Sequence, residues 1–198
     1  MQPFTPVHSI AAVVPENDID TDIIYPARFL LVMDKKGLGQ YLFHDRRGPE
    51  HPGFPLDEPQ VAGAEILIAG SNFGCGSSRE QAVWAIAGGG FKCVIASSFG
   101  EIFYNNCLKN GLLPIRLDEA EVADLAARAG AGAVFDVDLV ARRISGEGVD
   151  IAFPLEDGLK QRLLEGWDDI DLILNNQSEA IVAFEAQHKR SQPWLFPT

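Results

Sequence analysis

The chain has 198 residues, 46% hydrophobic and 22% charged, enough to bury a sizeable core in one soluble domain, and this composition excludes a disordered or fibrous organisation. With 16 Lys and Arg against 28 Asp and Glu, the formal net charge of −12 argues against nucleic acid or an anionic membrane as the main partner. An acidic protein that takes an acidic substrate must place a few cations with care, which directs attention to Arg79, Arg28, Lys35 and Lys36.

The N-terminus lacks the basic segment and long apolar run of a secretory signal. No stretch approaches the roughly 18 apolar residues of a membrane span, so a cytoplasmic location is expected. Ser9 to Val14 reads as a short strand, followed by the polar, turn-forming segment Glu16 to Asp22. Residues 48 to 59 hold four prolines and two glycines, so no helix or central strand can run through them. Ile66 to Ala69 is an apolar run that reads as a buried strand. It is followed by G-S-N-F-G-C-G-S-S-R-E at 70 to 80 and then by apolar residues at helical spacing.

Beyond that turn the pattern alternates. A helix to about Ala87 ends at Gly88-Gly89-Gly90, Lys92 to Ser97 reads as a strand, and Phe99 to Asn110 as a helix closed by Gly111. Leu112 to Leu117 reads as a further strand, and Asp118 opens a helix, with Glu121 at capping-box spacing, that stops at Gly130. This β-α-β-α-β series predicts an α/β fold with a mostly parallel central sheet. Val134 to Arg142 and Val149 to Phe153 flank Ser145-Gly146-Glu147-Gly148 and read as a β-hairpin. Two helices, Leu155 to Leu164 and Ser178 to about Lys189, are expected to follow, with Trp167 to Leu174 between them. The apolar tail, Pro193 to Pro197, then docks on the core or joins an interface. The whole, 1 to 198, is expected to form a single domain with a C-terminal helical extension.

The glycine-rich turn carries the chemistry. Ser77 and Glu80 have the S-x-x-E spacing of a capping box, which predicts Ser77 as N-cap with Ser78 and Arg79 in the first helical turn. Unpaired amides, the positive end of the helix dipole and the Arg79 guanidinium then converge where a carboxylate or phosphate fits. The turn is neither a Walker A loop nor a dinucleotide fingerprint, and it lacks the G-x-S-x-G of a serine-hydrolase elbow. His8, His44, His51 and His188 are scattered. Cys75, Cys93 and Cys107 match neither a disulfide framework nor a C-x-x-C metal site. The residues alone thus indicate a strand-turn-helix that binds a small anion, with a serine available for proton transfer, and leave the reaction open.

Four segments carry a resemblance: N-x-x-D-T-D over 17 to 22, L-F-H-D-R-R at 42 to 47, N-F-G-C-G-S-S-R-E at 72 to 80 and L-P-I-R-L at 113 to 117. In order and spacing the chain resembles the small subunits of bacterial 3-isopropylmalate dehydratases, the isopropylmalate isomerases of the aconitase superfamily. The resemblance implies a swivelling β/β/α domain, like the mobile fourth domain of aconitase, that closes over a separate large subunit in a heterodimer or heterotetramer. It further implies that the large subunit holds a [4Fe-4S] cluster whose open iron binds substrate, so that this chain binds no metal. The implied reaction is the interconversion of 2-isopropylmalate and 3-isopropylmalate in leucine biosynthesis.

Carried over by position, Ser77 matches the family's base, and Ser78 and Arg79 match positions that hold substrate carboxylate. The structural alternative for Ser77 is a plain helix cap. The loop after D-T-D, with Phe29, Leu30 and Leu31, matches the segment that selects substrate, and its apolar character suits an isopropyl group better than a charge. These side chains also suit plain core packing. The loop over 25 to 37 is expected to be mobile without the partner. Gln81, Tyr25, Ala27, Gly70-Ser71 and the segment 167 to 177 depart from the family pattern. They leave citramalate or dimethylmalate open as substrate; a non-catalytic assembly or binding module is the reading from another class.

Overall fold

The computed structural model describes residues 1–31 and 37–196. In these the chain runs β1 (Val7–Val14), α1 (Thr21–Ile24), β2 (Ile66–Ala69), α2 (Glu80–Gly88), β3 (Cys93–Ala96), α3 (Glu101–Asn110), β4 (Leu113–Arg116) and α4 (Glu119–Gly130). It continues with β5 (Val134–Asp138), β6 (Arg143–Gly146), β7 (Val149–Ala152), α5 (Asp157–Glu165) and α6 (Asp169–Ser191). The proline-rich segment carries only short 3-10 turns, at Pro55–Asp57 and Pro59–Val61.

The strands form one seven-stranded sheet in the order β4-β3-β2-β1-β5-β6-β7. The strand β1 belongs to two halves at once. Its residues 11 to 14 pair in parallel with β2, and its residues 7 to 10 pair antiparallel with β5. The parallel half is covered on both faces, and every residue of β2 and β3 is buried, as an all-apolar run requires. In the antiparallel half β5 alternates exposed and buried residues, the signature of a sheet with one wet face. Two apolar layers flank the sheet. Leu67 and Val94 face Phe43, Phe73, Ile86 and Phe103 on one side, while Ile66, Cys93 and Ile95 face Leu108, Leu125 and Leu163 on the other.

The β-α-β-α-β expectation is met, including the left-handed Gly111 (φ +79) that ends α3 and the Asp118 amide that donates to the Glu121 carboxylate at 3.2 Å. The C-terminal third departs from expectation. The strand expected over 134 to 142 stops at Asp138, whose carboxylate accepts the Ala141 N–H at 2.9 Å and turns the chain. Ser145 and Gly146, expected in a loop, belong to β6, so the tight hairpin joins β6 to β7 through Glu147-Gly148, with Gly148 at φ +70. The segment from 169 is helical rather than connecting, because the Asp168 carboxylate accepts the amides of Ile170 and Asp171 at 2.8 and 2.9 Å. The resulting α6 spans 23 residues, with a non-helical Gln177 inside it. It is rooted by Asp169, which pairs with the buried Arg162 at 2.7 Å. The tail folds back on the end of α6, with Phe196 edge-on to His188.

Candidate active site

Three loops leave the C-terminal ends of β1, β2 and β3, the end of a parallel sheet where ligands bind in open α/β folds. The first two lock together. Asp18 N–H donates to the Ser71 carbonyl (2.9 Å), Gly74 N–H to the Ile19 carbonyl (2.7 Å) and Thr21 N–H to the Cys75 carbonyl (3.0 Å). The third closes on the second, with Phe73 N–H donating to the Ser98 carbonyl (3.1 Å) and Gly100 N–H to the Phe73 carbonyl (2.9 Å). Two glycines permit this close approach. Gly74 sits at φ +72 with the Phe103 ring 2.2 Å from where a Cβ would stand, and Gly76 at φ +92 leads the chain past Asp20 to Ser77.

Ser77 is not the N-cap that the S-x-x-E spacing predicts. The helix α2 starts at Glu80 with Arg79 as its cap residue and no side-chain cap bond, and Ser77 and Ser78 lie in the exposed approach to it. Both ends of the expected box are taken by tertiary partners. The Ser77 hydroxyl lies 2.9 Å from the hydroxyl of Thr21, and the Glu80 carboxylate accepts from the Asn110 amide at 2.7 Å. Asn110 also accepts from the Trp84 indole at 2.8 Å, which ties α2 to α3. The first-turn amides of α2 have no intrahelical partner.

Arg79 is mostly buried, with 22% of its side chain exposed, and pairs through Nη1 with the Asp22 carboxylate. The same Asp22 oxygen accepts the Ala27 N–H at 2.7 Å. The hydrogen bond from Arg79 is the main reason that the Asp22 carboxyl is held below the usual carboxylate range, against some desolvation and with help from the Ala27 amide. Asp22 is therefore one link between the arginine of the glycine turn and the start of the loop that carries Phe29 to Leu31.

That loop is fastened at its base. The Phe29 ring stacks on Tyr41 at 4.3 Å and leans on His44 at 4.8 Å, and the Tyr25 hydroxyl donates to the Phe29 carbonyl at 2.8 Å. Arg28 lies over the Phe29 ring and makes a two-pronged pair with Asp45, whose carboxyl is thereby lowered to about 2. Phe29 and Leu30 pack against the core, whereas Leu31 is 90% exposed. Val32, Met33, Lys35 and Lys36, and with them the middle of the loop expected to be mobile, lie outside the described residues.

Sequence alone singles out Ser77, Ser78, Arg79 and Arg28 and gives no role to Thr21, Asp22, Tyr41 or Asp45. Thr21 and Asp22 stand inside the D-T-D motif, which is the available signal; their partners stand 56 and 57 residues away. The cysteines do not suit an iron–sulfur cluster on this chain. Cys93 and Cys107 are buried in the two different apolar layers, and Cys75 sits apart in the glycine turn with its thiol raised chiefly by desolvation. Among the described residues no group of three or more His, Cys, Asp or Glu is arranged to hold a metal ion, and no helix is long and apolar enough to cross a membrane.

Comparison with known proteins agrees with this architecture. Residues 1–120 match the family model of the aconitase C-terminal domain, and residues 169–198 match that of the C-terminal domain of 3-isopropylmalate dehydratase small subunits. The chain is 49% identical over 201 residues to a 3-isopropylmalate dehydratase small subunit of Rhodospirillum centenum, covering 98% of each chain. It is also 49% identical over 203 residues to that of Dinoroseobacter shibae, covering 98% of this chain and all of the other. The crystal structure of a 3-isopropylmalate dehydratase from Methanocaldococcus jannaschii superposes with a TM-score of 0.67 at 30% identity, over 91% of this chain and 99% of that one. An α/β swivelling domain with a curled mixed sheet, matched over nearly its whole length at such identity, places this chain in the family of 3-isopropylmalate dehydratase small subunits.

Proposed function

We propose that this chain, as a small subunit of 3-isopropylmalate dehydratase, supplies the base and one carboxylate anchor for the interconversion of 2-isopropylmalate and 3-isopropylmalate. The observation that carries the proposal is the joint hold of Asp22 on Arg79 and on the loop from Ala27, which ties the glycine turn that carries Ser77 to the apolar loop. In the forward direction the ionised Ser77 oxygen takes the proton from the carbon next to the one bearing hydroxyl. The C–H electron pair becomes the C=C bond, and the C–O bond breaks with its pair leaving on oxygen as hydroxide, which the large subunit would hold. Return of that hydroxide to the other carbon, with the one proton given back by Ser77, yields the isomer and regenerates the ionised serine.

An ionised serine is usable as a base only where donors and positive charge are already in place. The first-turn amides and dipole of α2 and the adjacent Arg79 are such groups. Arg79 suits a two-pronged pair with a substrate carboxylate, since Asp22 fixes its orientation through Nη1 alone and leaves other donors of the fork to a ligand. Ser78, exposed beside it, is a second donor to the same group. Leu30 and Leu31 offer apolar surface to the isopropyl group, where each buried methylene gains about 0.8 kcal/mol and an unpaired carboxylate would be penalised. Phe29 serves as the footing of that loop.

Ser77 and Ser78 are exposed, so the wall that shields the reaction from water comes from a partner. We assign that wall, and the [4Fe-4S] cluster that would bind the substrate hydroxyl and a carboxylate, to a large subunit; this chain's own cysteines take no part in the reaction. The test is reconstitution with a large subunit and an assay of isomerisation on 2-isopropylmalate and on citramalate. Turnover of 2-isopropylmalate by the pair, with citramalate at least about tenfold poorer in kcat/KM, is expected from the methylene gains above. Equal or better turnover of citramalate would move the substrate assignment, and tight assembly with no turnover of either would remove the catalytic one.

A further inference from the structure

We infer that Thr21 is a positioning residue for the Ser77 base: its buried hydroxyl is the built-in donor that holds the ionised Ser77 oxygen. The inference rests on the reading of Ser77 as the base. Thr21 is only 1% exposed, yet its Oγ1 lies 2.9 Å from Ser77 Oγ, in hydrogen-bond range. Around the same oxygen, Ser77 N–H approaches at 3.3 Å and the Ser77 carbonyl lies at 3.4 Å. Every hydrogen bond found for the Thr21 side chain is thus to Ser77.

The protons available on these atoms decide which hydroxyl donates. Thr21 has one hydroxyl proton and two possible acceptors, the Ser77 carbonyl and Ser77 Oγ. While Ser77 is neutral, its own proton can lie on Thr21 Oγ1, with the Thr21 proton turned to the carbonyl. Once Ser77 is ionised its oxygen has no proton to give, and the 2.9 Å contact persists only if Thr21 donates. A rotation about one C–O bond makes that change, with no movement of heavy atoms. Charge-assisted bonds of this kind are about twice as strong as neutral ones, so the pair favours the ionised form of Ser77. When the Ser77 oxygen takes the substrate's proton, the Thr21 proton turns back to the carbonyl.

The placement is rigid on both sides, which is what a preorganised donor needs. On the Thr21 side, Asp20 caps α1 by accepting the amides of Asp22 and Ile23 at 2.9 and 2.8 Å, and Thr21 N–H donates to the Cys75 carbonyl at 3.0 Å. On the Ser77 side, Gly76 at φ +92 carries the chain over Asp20, where a Cβ would come within 3.3 Å of the aspartate Cβ. Simple packing of a β-branched residue does not require its polar atom to meet the one hydroxyl that is proposed to ionise.

The assay is steady-state isomerisation by complexes reconstituted with a large subunit, comparing Thr21→Val, Thr21→Ala and Thr21→Ser with Ser77→Ala and with Thr21→Ala in the Ser77→Ala background. Loss of one preorganised donor is expected to lower kcat about 10²-fold in both Thr21→Val and Thr21→Ala, with KM changed by less than about threefold. Thr21→Ser, which keeps the hydroxyl, is expected to restore kcat to within about threefold of wild type, and Thr21→Ala is expected to add no further loss once Ser77 is gone. Thr21→Ala covers the case in which the valine methyl crowds Ser77 and blocks assembly. Wild-type kcat in an assembled Thr21→Ala complex, or an equal loss in Thr21→Ser, overturns the inference while leaving the role of Ser77 standing. A fully active Ser77→Ala complex removes that role and the inference together.

Discussion

Replacing Asp22 separates its two duties, because it holds Arg79 by charge and Ala27 by an oxygen that an amide can imitate. In Asp22→Asn the Ala27 N–H keeps an acceptor and Arg79 loses its anion; in Asp22→Ala both are lost. The Asp22 side chain is 56% exposed, so solvent screens the pair and its removal is expected to cost under about 1 kcal/mol of folding stability. The unpaired Ala27 amide adds roughly 0.5–1.5 kcal/mol in the alanine variant. The larger effect is on catalysis. A guanidinium free to shift by an ångström can cost about 10²-fold in rate, whereas the freed positive charge attracts the substrate carboxylate at least as well as before. Asp22→Asn is therefore expected to lower kcat by about 10²-fold with KM nearly unchanged or lower, read from steady-state kinetics of the reconstituted complex. Because the Asp22 carboxyl is held below the usual carboxylate range, the wild-type complex keeps this arrangement throughout the neutral and mildly acidic range. An assembled Asp22→Asn complex with wild-type kcat, or one in which only KM rises, would refute the reasoning.

The Arg28–Asp45 pair gives a pH signature. The Asp45 carboxyl is lowered from 3.8 to about 2 in the folded chain, chiefly by Arg28. Its contribution is therefore complete above the unfolded value near 3.8 and is lost as pH falls through about 2. Asp45→Asn should be less stable than wild type in urea unfolding at neutral pH, and the gap should close as pH approaches 2; a gap independent of pH would contradict the pair. Phe29→Ala removes the ring stacked on Tyr41 and is expected to cost about 1–2 kcal/mol in urea unfolding while raising KM for isopropylmalate through a loosened loop. Unchanged stability would show that the ring is not the footing. Gly74→Ala forces a methyl toward the Phe103 ring at a left-handed position, so about 2–5 kcal/mol is expected in chemical unfolding. A loss under about 0.5 kcal/mol, the size of a neutral surface change, would refute the close packing of the turn.

The parallel half of the fold was legible because its strands are short apolar runs closed by glycines and polar turns, and Gly111 and Asp118 behave as their local chemistry predicts. The antiparallel half was less so. Ser145-Gly146 has the composition of a turn, and only its pairing, with Phe135 and Asp136 on one side and Val149 and Asp150 on the other, makes it strand. The start of α6 was missed because Asp168 and Asp171 form a capping box with an aspartate at its far end, one carbon shorter than the glutamate that the usual signature requires. Ser77 shows the opposite error. The S-x-x-E spacing is a local rule, and tertiary partners override it when Thr21 engages the serine and Asn110 the glutamate. Candidate residues at the turn could be named from the sequence, but the hydroxyl pair and the arginine clamp could not, since each joins two loops from different strands.

The most direct measurement is kcat for a reconstituted Ser77→Ala complex whose assembly and iron–sulfur content equal those of wild type. Loss of a general base is expected to lower kcat by about 10²–10⁴-fold with KM changed far less. A complex that assembles, keeps its cluster and turns over 2-isopropylmalate at the wild-type rate would contradict the assignment of Ser77 as the base.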